Sequence, residues 1–151
     1  MLYIGINSGA STTLNNAVVR YGGSGGCCIG NIYIGGGNVS ITHSQSVSSS
    51  QMGIQINDGI VSIVSSTINN NQVYGIYLQN GTTTILNNDI HGNNFNGAGS
   101  YGAYKGSAPT STAQYNYWGA STGPTNPTNS SGTGDNVSAN IDFSNWLTSP
   151  P

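Results

Sequence analysis

GIQINDG spans Gly53 to Gly59, and GIYLQNG spans Gly75 to Gly81, 22 residues further along. Glycine opens and closes both stretches, isoleucine stands second and an aliphatic residue fourth. Laid out at that interval, the chain forms columns. Ile32, Ile54 and Ile76 align, then Ile34, Ile56 and Leu78, then Val39, Val61 and Thr83, then Ile41, Ile63 and Ile85. Thr42, Val64 and Leu86 follow, and Ser46, Ile68 and Ile90 form a column with one polar member. Gly37, Gly59 and Gly81 share a turn position. A fixed period of this length is the signature of a repeat architecture.

Within one period the aliphatics alternate over short spans: Ile54 and Ile56, then Val61 and Ile63, then Ile68. That is strand periodicity. Short strands divided by Asn, Asp, Gly and Ser corners describe a chain wound so that each strand pairs with its copy one period later, about 4.8 Å away. One turn cannot enclose its own apolar face, so stacked turns share a core.

Outside the repeat the same frame is extended with an insertion. At an offset of 50 residues Ile4 meets Ile54, Ile6 meets Ile56, Gly9 meets Gly59, Leu14 meets Val64 and Val18 meets Ile68. Six extra residues then fall in a loop near 21–29, which holds the adjacent Cys27 and Cys28. Neighbouring cysteines are strained as a disulfide, with Cα atoms only about 3.8 Å apart; buried thiols or a bridge to another copy are the alternatives. Asn15, His43, Ser65 and Asn87 read as one corner column, and Asn16, Ser44, Ser66 and Asn88 as the next. After Gly97 the columns fail, with Ala98 and Ser100 where aliphatics are due. Residues 1–97 therefore read as the coils. Residues 98–151 read as a last irregular coil, resuming near Ala113–Gly119, and a cap anchored by Phe143, Trp146 and Leu147.

Composition limits function. The chain has 151 residues, of which 4% are charged, against roughly 25% in ordinary soluble domains. Arg20 and Lys105 are the only basic residues, so nucleic acid is excluded as a partner. No apolar run reaches the roughly 18 residues of a membrane-spanning helix. MLYIGINSGA at the start lacks the pattern of a cleavable signal, so any export signal is removed or lies outside this chain.

The repeat columns resemble the right-handed parallel β-helix repeats of the pectate-lyase-like superfamily. LNNAVVRYGGSG (Leu14–Gly25) resembles a coil of secreted and surface β-helix proteins, and NYWGASTGP with GTGDNVSANIDFSNWL (Asn116–Leu147) resembles the ending of many bacterial and archaeal members. The handedness is what the resemblance implies. The fold expected is all-β: a right-handed parallel β-helix of about five coils with an irregular C-terminal cap. The superfamily spans lyases, hydrolases, tailspikes and adhesins, so the fold alone assigns no activity.

Catalysis finds little material. Glycoside hydrolysis needs two carboxylates about 5–9.5 Å apart. Asp58 and Asp89 fall in columns nine positions apart around the coil, and Asp135 and Asp142 lie in the ending. His43 and His91 occupy different columns, and no Cys/His spacing matches zinc. Asp135 in GTGDN is weighed as a calcium ligand and read as a cap turn. No catalytic residue, metal or cofactor is assigned. Tyr101, Tyr104, Tyr115 and Tyr117 are candidates for stacking on sugars, with cap packing as the alternative. Asn38, Asn80, Asn129 and Asn136 head glycosylation sequons. Leu2, Tyr3, Ile4, Gly5 and Ile6 sit in the repeat at once, so they are read as an edge that pairs with another copy or an upstream β-helix.

The function expected is a non-catalytic extracellular or cell-surface solenoid, structural or adhesive, stacking head to tail into a fibre. The alternatives are a carbohydrate-binding or polysaccharide-degrading β-helix fragment, and a passive spacer of a larger surface protein.

Overall fold

A computed structural model describes residues 1–5, 11–23, 30–93, 99–107 and 109–151. Among them there is no helix. The chain runs through β1 (Leu2–Ile4), β2 (Ser11–Asn15) and β3 (Val18–Arg20) and then repeats the trio. The next three strands are β4 (Gly30–Ile34), β5 (Asn38–Thr42) and β6 (Gln45–Val47), followed by β7 (Met52–Ile56), β8 (Ile60–Val64) and β9 (Thr67–Asn69). Then come β10 (Tyr74–Leu78), β11 (Thr82–Leu86), β12 (Asp89–His91), β13 (Tyr101–Lys105) and a short β14 (Ser111–Thr112). The ending adds β15 (Pro124–Thr125), β16 (Gly134–Asn136) and β17 (Ile141–Asp142).

Like pairs with like. The first sheet is β1-β4-β7-β10-β13, the second is β17-β14-β11-β8-β5-β2 and the third is β12-β9-β6-β3; a small pair, β15-β16, lies apart. Adjacent strands in each are parallel. The architecture is all-β, with stacked parallel strands consistent with a β-solenoid.

The 22-residue columns of the central strands are the pairing register: Ile32 with Ile54, Ile54 with Ile76, Ile41 with Ile63 and Ile63 with Ile85. These isoleucines are at most 1% exposed, each contributing roughly 1.5–3 kcal/mol through burial. Thr42, Val64 and Leu86 stack as expected but are only half-buried, on the outward side of the second sheet.

The register at both ends differs from the sequence reading. Ile4 pairs with Ile34, Leu14 with Ile41 and Val19 with Ser46. A one-residue slip would exchange the two faces of a strand, and Val18, expected inside, is 57% exposed. Six residues separate β1 from β2 and nine separate β3 from β4, against three between β4 and β5 and four between β6 and β7, so the extra residues fall in two places rather than one. The corner column is likewise Asn16, His43, Ser65 and Asn87, with φ of 53°, 47°, 50° and 53°. It continues to Tyr115 at 55°.

Nor do the columns fail after Gly97. They resume nine residues after β12, with Tyr101 beside Tyr74, Ala103 beside Ile76 and Lys105 beside Leu78. Aliphatic matching misses this layer because its volume is distributed differently. Ala103 and Ala113 are small, and the fully buried Trp118, which follows the bridge between Asp89 and Tyr117, fills the space beyond Ile90.

Two buried polar ladders hold the corners. Backbone N–H groups of Ala17, Ser44, Ser66 and Asn88 donate in turn to side-chain oxygens of Ser44, Ser66, Asn88 and Asn116. In the second ladder Ser49 N–H donates to Asn71, Asn71 to Asn93, and Asn93 to the Asp135 carboxylate. A corner bends the chain out of sheet pairing, so side chains meet the backbone groups that the bend leaves over.

Candidate functional site

The opening motif places one side chain between two inward-facing neighbours in every strand of the first sheet: LYI, IYI, IQI, IYL and AYK. Alternation sends that side chain outward, and pairing aligns Tyr3, Tyr33, Gln55, Tyr77 and Tyr104 in one row. Tyr3 and Tyr33 stack with ring centres 5.2 Å apart and planes 12° apart; Tyr77 and Tyr104 stack at 5.7 Å and 11°. Tyr74 and Tyr101 join from the strand starts. Glycine follows each of them, and a Cβ on Gly75 would lie 2.5 Å from the Gly102 carbonyl oxygen. Tyr74 packs on Tyr77 at 5.3 Å and on Tyr104 at 5.4 Å, while Tyr101 meets Tyr104 at 5.1 Å, with planes 30–60° apart. Burial raises the Tyr74 phenol above its ordinary value, with smaller contributions from Tyr104, Tyr77 and Tyr101.

Gln55 interrupts the row. It is 9% exposed, and its Oε1 has no hydrogen-bond partner. None of the row carries a charge. Beyond Tyr101 the face meets an open cavity of about 610 Å³, lined by Asn126, Asn129, Asn136 and Ser138 with Pro127 and Val137.

Of the candidate sugar-stacking residues, Tyr101 and Tyr104 belong to this face. Tyr115, exposed at its left-handed corner, and Tyr117, bridged to Asp89, lie on the side of the third sheet. Tyr33, Gln55, Tyr74 and Tyr77 are not among the sequence candidates, and Tyr3 is one only as part of the pairing edge. The signal was present: a residue flanked by two column aliphatics must face out.

Each carboxylate has hydrogen-bond partners of its own. Asp58 is exposed at a corner and accepts from Gly59 N–H at 2.8 Å. Asp89 meets His91 Nδ1 at 2.7 Å. Asp135 is buried and accepts from Gly92 N–H, Asn93 N–H and Asn93 Nδ2. Burial pushes its carboxyl up, against those hydrogen bonds, which pull it down. Asp142 is held below its ordinary value first by the Ser144 backbone N–H, and it also accepts from Gln114 at 2.6 Å. Among the described residues no three His, Cys, Asp or Glu side chains come together as metal ligands. The Arg20 guanidinium lies over the Tyr21 ring, 5.4 Å from its centre. Lys105 is turned into the core.

Asn38 is exposed at the start of β5, and Asn80 is exposed in the corner between β10 and β11. The Asn129 amide donates to the Thr122 and Pro124 carbonyls, and the Asn136 amide to the Ser100 carbonyl. Leu2 and Ile4 are half-buried in the outermost strand, with Tyr3 and Gly5 exposed. Ile6, Gly9, Cys27, Cys28 and Ala98 lie outside the described residues.

No protein-family model matches the chain, and no curated protein or solved structure matches it significantly.

Proposed function

We propose that the chain is a non-catalytic adhesive unit working outside the cell. In this reading it is a right-handed parallel β-helix of about five coils, of the pectate-lyase-like kind, which holds carbohydrate against the outer face of its first sheet. The observation that carries the reading is the joined cluster of Tyr74, Tyr77, Tyr101 and Tyr104. Tyrosine offers a rigid apolar ring face and a polar tip at low entropic cost. A row of such rings, next to a cavity lined by amides and hydroxyls, suits a ligand with apolar ring faces and many hydroxyls. Nucleic acid would also stack, but it needs cations that this face lacks.

The test is retention on a panel of insoluble polysaccharides, with the supernatants assayed for new reducing or unsaturated ends. The wild-type protein is expected to bind at least one polysaccharide and release nothing. The double variant Tyr77→Ser/Tyr104→Ser is expected to stay in solution. Released oligosaccharides, or a variant that binds as well as the wild type, would refute the proposal.

A further inference from the structure

We infer that the cavity beside Tyr101 is a sugar subsite of the tyrosine face, one that takes a neutral unit through its hydroxyl donors and rejects uronic acids and sulfated sugars. The inference rests on the carbohydrate-binding reading above.

The cavity belongs to the ending of the chain rather than to the repeat. Residues of the 125–132 and 136–139 segments line it, and Tyr101 supplies an aromatic wall. Tyr101 also packs on Tyr104 at 5.1 Å and on Tyr74 at 6.2 Å, so one ring is shared between the cavity and the tyrosine cluster. A sugar chain stacked on the cluster meets the cavity at Tyr101. Its volume, about 610 Å³, falls within the roughly 300–1,000 Å³ of ligand sites.

Hydrogen bonding in the lining sets the ligand's chemistry. The polar side chains commit their donors to backbone carbonyls. Asn126 Nδ2 donates to Val137 at 2.7 Å, Thr125 Oγ1 to Gly134 at 2.8 Å, Asn136 Nδ2 to Ser100 at 2.9 Å and Ser138 Oγ to Lys105 at 3.1 Å. Asn129 Nδ2 donates to both Thr122 and Pro124. The Asn129 Oδ1 receives one long bond, 3.4 Å from Ser131 Oγ. The Oδ1 of half-buried Asn136 receives none among the described residues. An amide oxygen accepts two hydrogen bonds. What these side chains leave open is chiefly acceptor, the complement of a sugar's hydroxyls.

Charge points the same way. Among the described residues no charged side chain lines the cavity. Lys105 is 2% exposed, and the Arg20 guanidinium lies over Tyr21. A carboxylate or sulfate entering here brings only further acceptors and loses hydration with no cation to replace it. A neutral sugar meets no such penalty.

The experiment is calorimetric titration of the intact protein with neutral hexasaccharides (cello-, xylo- and chito-oligosaccharides) and with oligogalacturonate and chondroitin sulfate oligosaccharides. It is repeated on Ala139→Trp and Ser130→Trp, which fill the cavity from exposed turn positions in its two segments. The wild type is expected to bind a neutral series and neither acidic one. Each tryptophan variant is expected to keep the wild-type melting temperature and to lose about tenfold in affinity, about 1.4 kcal/mol. If one variant fails to fold, the other decides. Unchanged or higher affinity in a folded tryptophan variant, or binding of acidic chains alone, overturns this inference and leaves the carbohydrate-binding reading standing. Binding to no glycan at all, with the fold intact, removes both.

Discussion

Replacing Asn71 by alanine tests the physical core of the stacking argument. Asn71 is fully buried. Its Oδ1 accepts from Ser49 N–H at 3.0 Å, and its Nδ2 donates to the Ser46 carbonyl at 3.1 Å and to Asn93 Oδ1 at 2.9 Å. Truncation strands the Ser49 N–H with no acceptor, at about 1–3 kcal/mol, and removes two further bonds at about 0.5–1.5 kcal/mol each. The bond from Asn71 N–H to Asn93 Oδ1 survives, because the backbone supplies it. The expected loss is about 3 kcal/mol, a large share of a typical 5–15 kcal/mol stability. With a urea slope of about 2 kcal/mol/M, the midpoint falls by about 1.5 M. Fluorescence of the buried Trp118 reports the transition. Gln72→Ala, at an exposed neighbour, is expected to stay within about 0.5 kcal/mol. Asn71→Asp sharpens the test, because a carboxylate there would face the Ser46 carbonyl and Asn93 Oδ1, acceptor against acceptor. Its folded pKa is then raised, so the penalty is full above that value and fades as pH falls toward the unfolded value of about 3.9. An alanine variant within 1 kcal/mol of wild type would refute the claim that the ladder holds the corners.

Lys105 occupies the column of Ile34, Ile56 and Leu78, and burial lowers its amine below the ordinary value of 10.5. Lys105→Leu is therefore expected to stabilise the fold by about 1–2 kcal/mol in urea titrations at neutral pH; a comparable loss would contradict the placement. The unfolded chain binds the proton that the folded lysine gives up, so wild-type stability should rise as pH climbs from the lowered pKa toward 10.5. The leucine variant should lose that slope. Gly81 has φ of 79°, and a Cβ there would press on the Gly59 carbonyl oxygen one turn earlier. Gly81→Ala is expected to cost about 2 kcal/mol or more, read as a fall in melting temperature; an unchanged value would mean that turns do not stack this closely.

The central sheets were legible because their signal is redundant. Ile54, Ile63 and Ile68 each have aliphatic or near-aliphatic copies one period away, so period and alternation agree. The ends were less legible for two reasons. Length changes at corners cannot be placed by matching aliphatics alone, which is why Leu14 was set beside Val64 rather than Ile63. In the layer of Ala103 and Ala113 the core is filled by one indole, Trp118, and by the Lys105 stem, so no column of like residues remains to be matched. The site was half legible. Tyr101 and Tyr104 stood out as late aromatics, but Tyr33, Gln55 and Tyr77 were hidden in plain periodicity, read for their aliphatic neighbours instead of for the face between them. Asp135 looked like a turn residue; its role as last acceptor of the Asn71–Asn93 ladder depends on a contact across 42 residues of sequence that no local pattern announces.

The outer face of the first sheet is the proposed working surface of this chain. Titrating isotopically labelled protein with the oligosaccharide that binds best, and following backbone and tyrosine ring resonances, tests it most directly. Shifts should concentrate on Tyr33, Gln55, Tyr77, Tyr101 and Tyr104 and leave Asp89 and His91 unmoved. Shifts centred on the Asp89–His91 side or on Phe143 and Trp146, with the tyrosine row silent, would contradict it.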